Sequence, residues 1–189
     1  MKPLLFTGPP GVGKSTAVRK VTDAPGLAGV HGLYSGEIRV DGKRQGFELE
    51  LLPSGEKGVL ASPDIEGEVR FGTLRADGKR RLGLSLAFLD EVACPALRAA
   101  LPTAQLMVID EIGPMQARSE VFRCLVEEII ASDVPLLATV ALAEDEWIAG
   151  LRESSDCATV ALTVGNRDTV AEAAAHYLKA RLAQEARSV

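Results

Sequence analysis

Hydrophobic and polar positions along the chain fall into two regimes. Toward both ends, short continuous apolar runs alternate with stretches of helical spacing. The runs are Leu4-Leu5-Phe6, Leu106-Met107-Val108-Ile109, Leu136 to Leu142, and residues 158–164. Strands apolar on both faces belong inside a parallel sheet covered by helices. The intervening stretches predict helices over 14–22, over 86–101 with a restart at Pro95 and a stop at Pro102, and over 144–151. A further helix is capped by Ser119 and carries Val121, Phe122, Leu125, Val126, Ile129 and Ile130 on one stripe. The last runs to about residue 185. Thr169-Val170-Ala171-Glu172 is a capping-box pattern opening it, with Val170, Ala174, Tyr177, Leu178 and Leu182 inward.

Residues 33–86 follow the other regime. Leu33 to Val40 and Gln45 to Leu51 flank Asp41-Gly42, a two-residue hairpin signal. Pro53 to Gly58 reads as a second turn. Short strands follow at 58–61, 68–75 and 81–86, with a hairpin tip at Asp77 to Arg80. The expectation is an α/β fold with three layers, α/β/α, around a largely parallel sheet. An antiparallel β extension at 33–86 lies within a single domain spanning 1–189.

Composition narrows this picture. The 189 residues are 47% hydrophobic and only 4% aromatic, so the core must be aliphatic. The formal charge of −5 argues against coating nucleic acid through net charge. Cys94, Cys124 and Cys157 are widely spaced and odd in number, which suggests neither a disulfide framework nor a zinc site. Cys124, inside an apolar helix pattern, is expected in the core. No apolar stretch reaches membrane-spanning length, and the first run is too short for a signal peptide. A soluble cytoplasmic protein without a membrane partner is expected.

The chemistry sits at the ends of the apolar runs. After the first comes Gly8-Pro9-Pro10-Gly11-Val12-Gly13-Lys14-Ser15-Thr16, which satisfies G-x-x-x-x-G-K-[ST] between a strand and a helix. Backbone N–H groups of such a loop converge on phosphate oxygens at a helix N-terminus. Lys14 would reach the β- and γ-phosphates and Ser15 would ligate Mg²⁺. After the second run stands Asp110-Glu111. Asp110 can hold Mg²⁺ opposite Ser15, and Glu111 can deprotonate an attacking water. A base poised over water favours hydrolysis over transfer to another acceptor. The arginine-rich lid expected of a nucleotide kinase is sparse here, with only Arg152 and Arg167 between the strand at 136–142 and the last helix.

The chain resembles the small cancer-related nucleoside-triphosphatase family over nearly its whole length. The resemblance rests on Gly8 to Thr16, Gly32 to Arg39, Arg44-Gln45-Gly46-Phe47, Ile109-Asp110-Glu111-Ile112-Gly113-Pro114-Met115, Ser119 with Phe122, and Asn166-Arg167-Asp168. It implies an Mg²⁺-dependent hydrolase of ATP, GTP and other nucleoside triphosphates, built on a P-loop core with RecA-like strand order. After Gly113 the family pattern looks like Lys-Met-Glu-Leu, whereas this chain has Pro114-Met115-Gln116-Ala117.

Other residues carry two readings each. Glu37, Arg39 and Arg44 are candidates to contact the γ-phosphate or substrate, or form strand-surface ion pairs. Asn166 and Arg167 are candidates to contact the nucleotide base, or belong to a turn and cap. Thr139 senses the γ-phosphate or packs in the core. Arg70, Arg75, Lys79, Arg80 and Arg81 touch nucleic acid or form a solvated hairpin face. Two other functions stay open: a kinase-like phosphotransferase, and a nucleotide-binding switch with little turnover.

Overall fold

The computed structural model describes residues 2–67, 69–74 and 80–185. The tip at Asp77, with Arg75 and Lys79, lies outside them. Nine strands form one sheet among these residues: β1 (Leu4–Thr7), β2 (Val30–Val40), β3 (Lys43–Leu52), β4 (Lys57–Ser62), β5 (Arg70–Leu74), β6 (Arg80–Leu84), β7 (Leu106–Ile112), β8 (Leu136–Val140) and β9 (Ala158–Ala161). Their order is β5-β6-β4-β3-β2-β7-β8-β1-β9. The half from β2 to β9 is parallel and the half from β2 to β5 is antiparallel. Counting only the parallel strands, the order is 5-1-4-3-2, the RecA-like arrangement. It puts β8 between the strand that feeds the glycine-rich loop and the strand that ends in Asp110-Glu111.

β2 joins the two halves. Val30 to Tyr34 pair parallel with β7, while Gly32 to Val40 pair antiparallel with β3. It therefore starts three residues earlier than the alternating pattern suggests. Asp41 and Gly42 both have positive φ, 51° and 75°, as a two-residue hairpin turn demands.

Helices cover both faces. α1 (Lys14–Thr22) and α5 (Arg167–Glu185) pack together on one side. α2 (Cys94–Ala100), α3 (Glu120–Ala131) and α4 (Glu146–Glu153) lie on the other. Alternation within each buried strand feeds two cores. Phe6 and Val108 join Val18, Val21, Ala174 and Leu178, while Leu5, Met107 and Ile109 join Leu97, Phe122, Leu125 and Ile129. Burying each Val, Leu, Ile, Phe or Met side chain among them contributes roughly 1.5–3 kcal/mol.

α3 begins where its cap was expected, with Ser119 Oγ accepting from Phe122 N at 2.9 Å. Its buried stripe is Phe122, Leu125, Val126 and Ile129. Val121 and Cys124 point away from that stripe and are exposed, which corrects the expectation of a core cysteine. α2 is preceded by a π-helical turn at Leu89–Ala93, the form the restart at Pro95 takes. β8 stops at Val140, short of Leu142, because Arg152 Nη1 takes the carbonyls of Ala141 and Ala143 at 2.7 and 3.2 Å. β9 stops at Ala161 because Asn166 folds the chain back, bonding Ala161 O and Thr163 N. That turn starts α5 at Arg167, two residues before the capping-box position, and leaves Tyr177 outside the buried face of Ala171, Ala174, Ala175 and Leu178. No helix of the described residues is long and apolar enough to cross a membrane.

Candidate active site

The carboxyl ends of β1, β7 and β8 open onto a cavity of about 720 Å³, where ligands gather in sheets of this kind. The loop after β1 forms one wall. Gly13 has φ 103°, a conformation that side chains rarely adopt, and an added Cβ would lie 3.0 Å from the Arg167 side chain. α1 begins at the next residue, so its free N–H groups face the cavity. Lys14 bends back over the loop, its Nζ donating to Gly8 O at 3.1 Å. It also stands 3.9 Å from Glu111 Oε2.

β7 supplies the facing carboxylates. Asp110 is buried, and its Oδ1 accepts from Thr139 Oγ1 at 2.6 Å. Thr139 is therefore committed to Asp110 rather than turned toward a phosphate. Asp110 Oδ2 is buried without a hydrogen-bond partner. Desolvation pushes the Asp110 carboxyl above its ordinary range, against the pull of the Thr139 and Ser15 hydroxyls and of the Arg19 and Lys14 charges. Burial likewise raises Glu111, with Lys14 opposing and Asp110 adding to the rise. A buried carboxylate oxygen with no partner, on the same cavity as the Ser15 hydroxyl, is a donor set that fits a hard cation. Mg²⁺ characteristically takes only one or two protein oxygens and fills its shell with water and substrate phosphate.

Most sequence-predicted residues meet here. Gly8, Pro10, Gly11, Gly13, Lys14, Ser15, Thr16, Glu37, Arg44, Asp110 and Glu111 all line the cavity. Val12 turns inward to the core. Arg39 faces a neighbouring cleft of about 330 Å³, ion-paired to Glu37 at 2.5 Å. Arg44 lines both spaces, with Nη1 3.0 Å from Glu37 Oε1. Asn166 closes the turn after β9, and Arg167 Nη1 donates to Val12 O at 3.0 Å, bracing the loop from behind. In the basic stretch, Arg70 donates to the carbonyls of Ile65 and Arg81, and Arg81 bonds Gln45.

Three polar side chains of the cavity had no role assigned from sequence: those of Arg19, Ser35 and Gln116. Arg19 lies one helical turn after Ser15 and stacks 4.2 Å over the Tyr34 ring, a placement that i,i+4 spacing on α1 could have revealed. Ser35 and Gln116 belong to motif stretches, but 81 residues separate them in sequence and only β2–β7 pairing brings them together.

A glycine-rich loop opening a helix, an acidic pair on the strand two places away and the 5-1-4-3-2 order together define a P-loop nucleotide hydrolase. The family model described as NTPase matches residues 3–175, and the chain belongs to that family. It is 42% identical over 139 residues to the nucleoside-triphosphatase THEP1 of Methanothermobacter thermautotrophicus, covering 72% of this chain and 75% of that protein. The crystal structure of THEP1 from Aquifex aeolicus superposes with a TM-score of 0.75 at 28% identity, over 90% of this chain and 95% of that one. The solution structure of a human cancer-related nucleoside triphosphatase gives 0.70 at 27%, over 92% and 95%.

Proposed function

We propose that this chain hydrolyses nucleoside triphosphates, ATP and GTP among them, to the diphosphate and inorganic phosphate, with Mg²⁺ as cofactor. The observation that carries the reading is the 3.9 Å approach of Glu111 Oε2 to Lys14 Nζ. It sets a carboxylate base beside the cation that holds the β- and γ-phosphates.

Loop N–H groups and Lys14 bind and orient the triphosphate. Ser15 and the free oxygen of Asp110 would hold the metal, which when bound neutralises charge between the β- and γ-phosphates. Glu111 accepts a proton from water as the water oxygen bonds the γ-phosphorus, and the Pγ–O bond breaks with its electron pair passing to the β-phosphate. Arg44, reaching in from the β2–β3 hairpin, supplies positive charge on the far side of the γ-phosphate. Arg167 supports the loop, and Asn166 sets the turn against which a base can rest.

Phosphate release from a panel of nucleoside triphosphates, with and without Mg²⁺, tests this reading. Lys14→Ala should abolish binding or turnover. Glu111→Gln should bind nucleotide but lose hydrolysis by roughly 10²-fold or more. Full turnover in Glu111→Gln would remove the base from the proposal. Faster transfer to an added nucleoside or nucleotide than to water would instead favour a phosphotransferase.

A further inference from the structure

Gln116 lies in a 3₁₀ turn (Gln116–Arg118) just after β7, and it is 1% exposed. Burying a primary amide costs free energy unless both of its ends are bonded. Only one end is. Nε2 donates to Ser35 Oγ at 2.8 Å, and the same Oγ accepts from the backbone N of Glu111 at 3.2 Å. Oε1 is buried with no partner on the protein. Gln116 lines the cavity, and with its donor end taken by Ser35 its acceptor end is the one without a protein partner.

That acceptor has company. A Cβ built on Gly113 would lie 3.0 Å from Glu111 Oε1 and 3.2 Å from Gln116 Oε1. Both oxygens therefore border the space over the α-carbon of Gly113, and a side chain there would push them apart by a few tenths of an ångström. Both are acceptors when Glu111 is ionised, so neither can satisfy the other. What such a pair needs is a molecule with two O–H donors. We infer that Glu111 Oε1 and Gln116 Oε1 together cradle the attacking water, with Gln116 as a residue that positions it and Ser35 as the brace that fixes the amide's orientation.

This rests on the hydrolytic reading above and adds a geometric element to it. With one hydrogen donated to Gln116 and the other to Glu111, the lone pair of the water is fixed in direction. The proton passes to Glu111 as the O–P bond forms, while Gln116 keeps its hydrogen bond and exchanges no proton. An amide suits that task because it accepts without competing for the proton. Pro114 and Gln116, which replace the family's Lys and Glu, thus need not signal a lost activity.

The experiment compares Gln116→Met, Gln116→Glu, Gly113→Ala and Glu111→Gln in steady-state phosphate release and in binding of a non-hydrolysable triphosphate. Methionine fills the space without an acceptor. Gln116→Met should lower kcat by about 10²-fold, the scale of a misplaced reactant, with triphosphate affinity kept within about threefold. Gln116→Glu, which restores an acceptor of equal reach but also competes for the proton, should recover part of that loss. Gly113→Ala should lower kcat in the same direction as Gln116→Met, because its methyl group shifts both oxygens. If Gln116→Met and Gly113→Ala keep wild-type kcat while Glu111→Gln is inactive, the cradle is wrong and the base stands. If Gln116→Met loses affinity and kcat together and Gln116→Glu does not recover them, Gln116 is a packing residue and the inference fails. If Glu111→Gln is fully active, the hydrolytic reading beneath it falls first.

Discussion

Thr139 on β8 donates to Asp110 on β7 at 2.6 Å, and both side chains are buried. The bond spans the two strands next to the phosphate loop and fixes which oxygen of Asp110 stays free. Thr139→Val preserves shape but strands Oδ1 without a donor. An unsatisfied buried acceptor costs about 1–3 kcal/mol. The urea midpoint of the metal-free protein should fall accordingly with an unchanged slope, and Thr139→Ser should recover most of it. Nucleotide affinity in Mg²⁺ should weaken too, since Asp110 is then free to turn.

The same carboxylates make the metal-free protein sensitive to pH. Desolvation raises both Asp110 and Glu111, so the native state holds their protons more tightly than the unfolded chain does. Their contribution to stability is full below the unfolded values, near pH 4, and is lost as pH rises through the folded values. Ion-paired carboxylates such as Glu128 and Asp168, held low by hydrogen bonds from Arg98 and Lys20, act in the opposite sense. They cancel when wild type is compared with Asp110→Asn. In EDTA the wild-type Tm should therefore decline relative to Asp110→Asn as pH rises from about 4 through the folded values. Adding Mg²⁺ near neutrality should raise the wild-type Tm and leave Asp110→Asn nearly unmoved. A constant Tm difference across the range would refute the assignment.

Arg167 donates to Val12 O at 3.0 Å and packs where a Gly13 side chain would be. It buttresses the backbone of the glycine-rich loop. Arg167→Ala removes one charge-assisted hydrogen bond to that backbone, worth about 1.5–3 kcal/mol when made. Affinity should drop by about tenfold or more. The loss should be equal for ATP, GTP and pyrophosphate if the arginine acts on the loop. A loss confined to particular bases would mean that it touches the base instead.

These residues also mark what could be read from the chain alone. Gly8 to Thr16 and Asp110-Glu111 are contiguous motifs at the ends of apolar runs, so local pattern was enough to find them. The parallel core followed from alternation of buried strands and helices, its RecA-like order from the family resemblance, and the Asp41-Gly42 hairpin from its turn residues. The misplacements came from treating helical faces as wider than they are, as at Val121, Cys124 and Tyr177. The strand ends at Val140 and Ala161 are set by side chains of Arg152 and Asn166, which no periodicity encodes. The role of Ser35 was equally hidden, because its partners Glu111 and Gln116 lie 76 and 81 residues away.

Arg39 and Arg44 share one carboxylate, Glu37, yet serve different spaces. Arg39 also donates to Gly42 O at 2.9 Å and faces the smaller cleft. Arg44 lies 5.2 Å over the Phe47 ring and lines the larger cavity as well. An arginine placed on the γ-phosphate acts on charge that develops in the transition state, so its loss appears in kcat rather than in ground-state affinity. Arg44→Ala should therefore lower kcat by at least about tenfold with little change in nucleotide affinity, a fraction of the range known for such groups. Arg39→Ala breaks an exposed ion pair and a hydrogen bond to Gly42 O, both away from the larger cavity, and should change kcat by less than about threefold. Arg44→Lys keeps the charge without the planar fork and should fall between the two. Steady-state kinetics with parallel affinity measurements separate these outcomes. Equal losses in Arg39→Ala and Arg44→Ala would show that the hairpin acts through its Glu37 network and not through one arginine in the cavity.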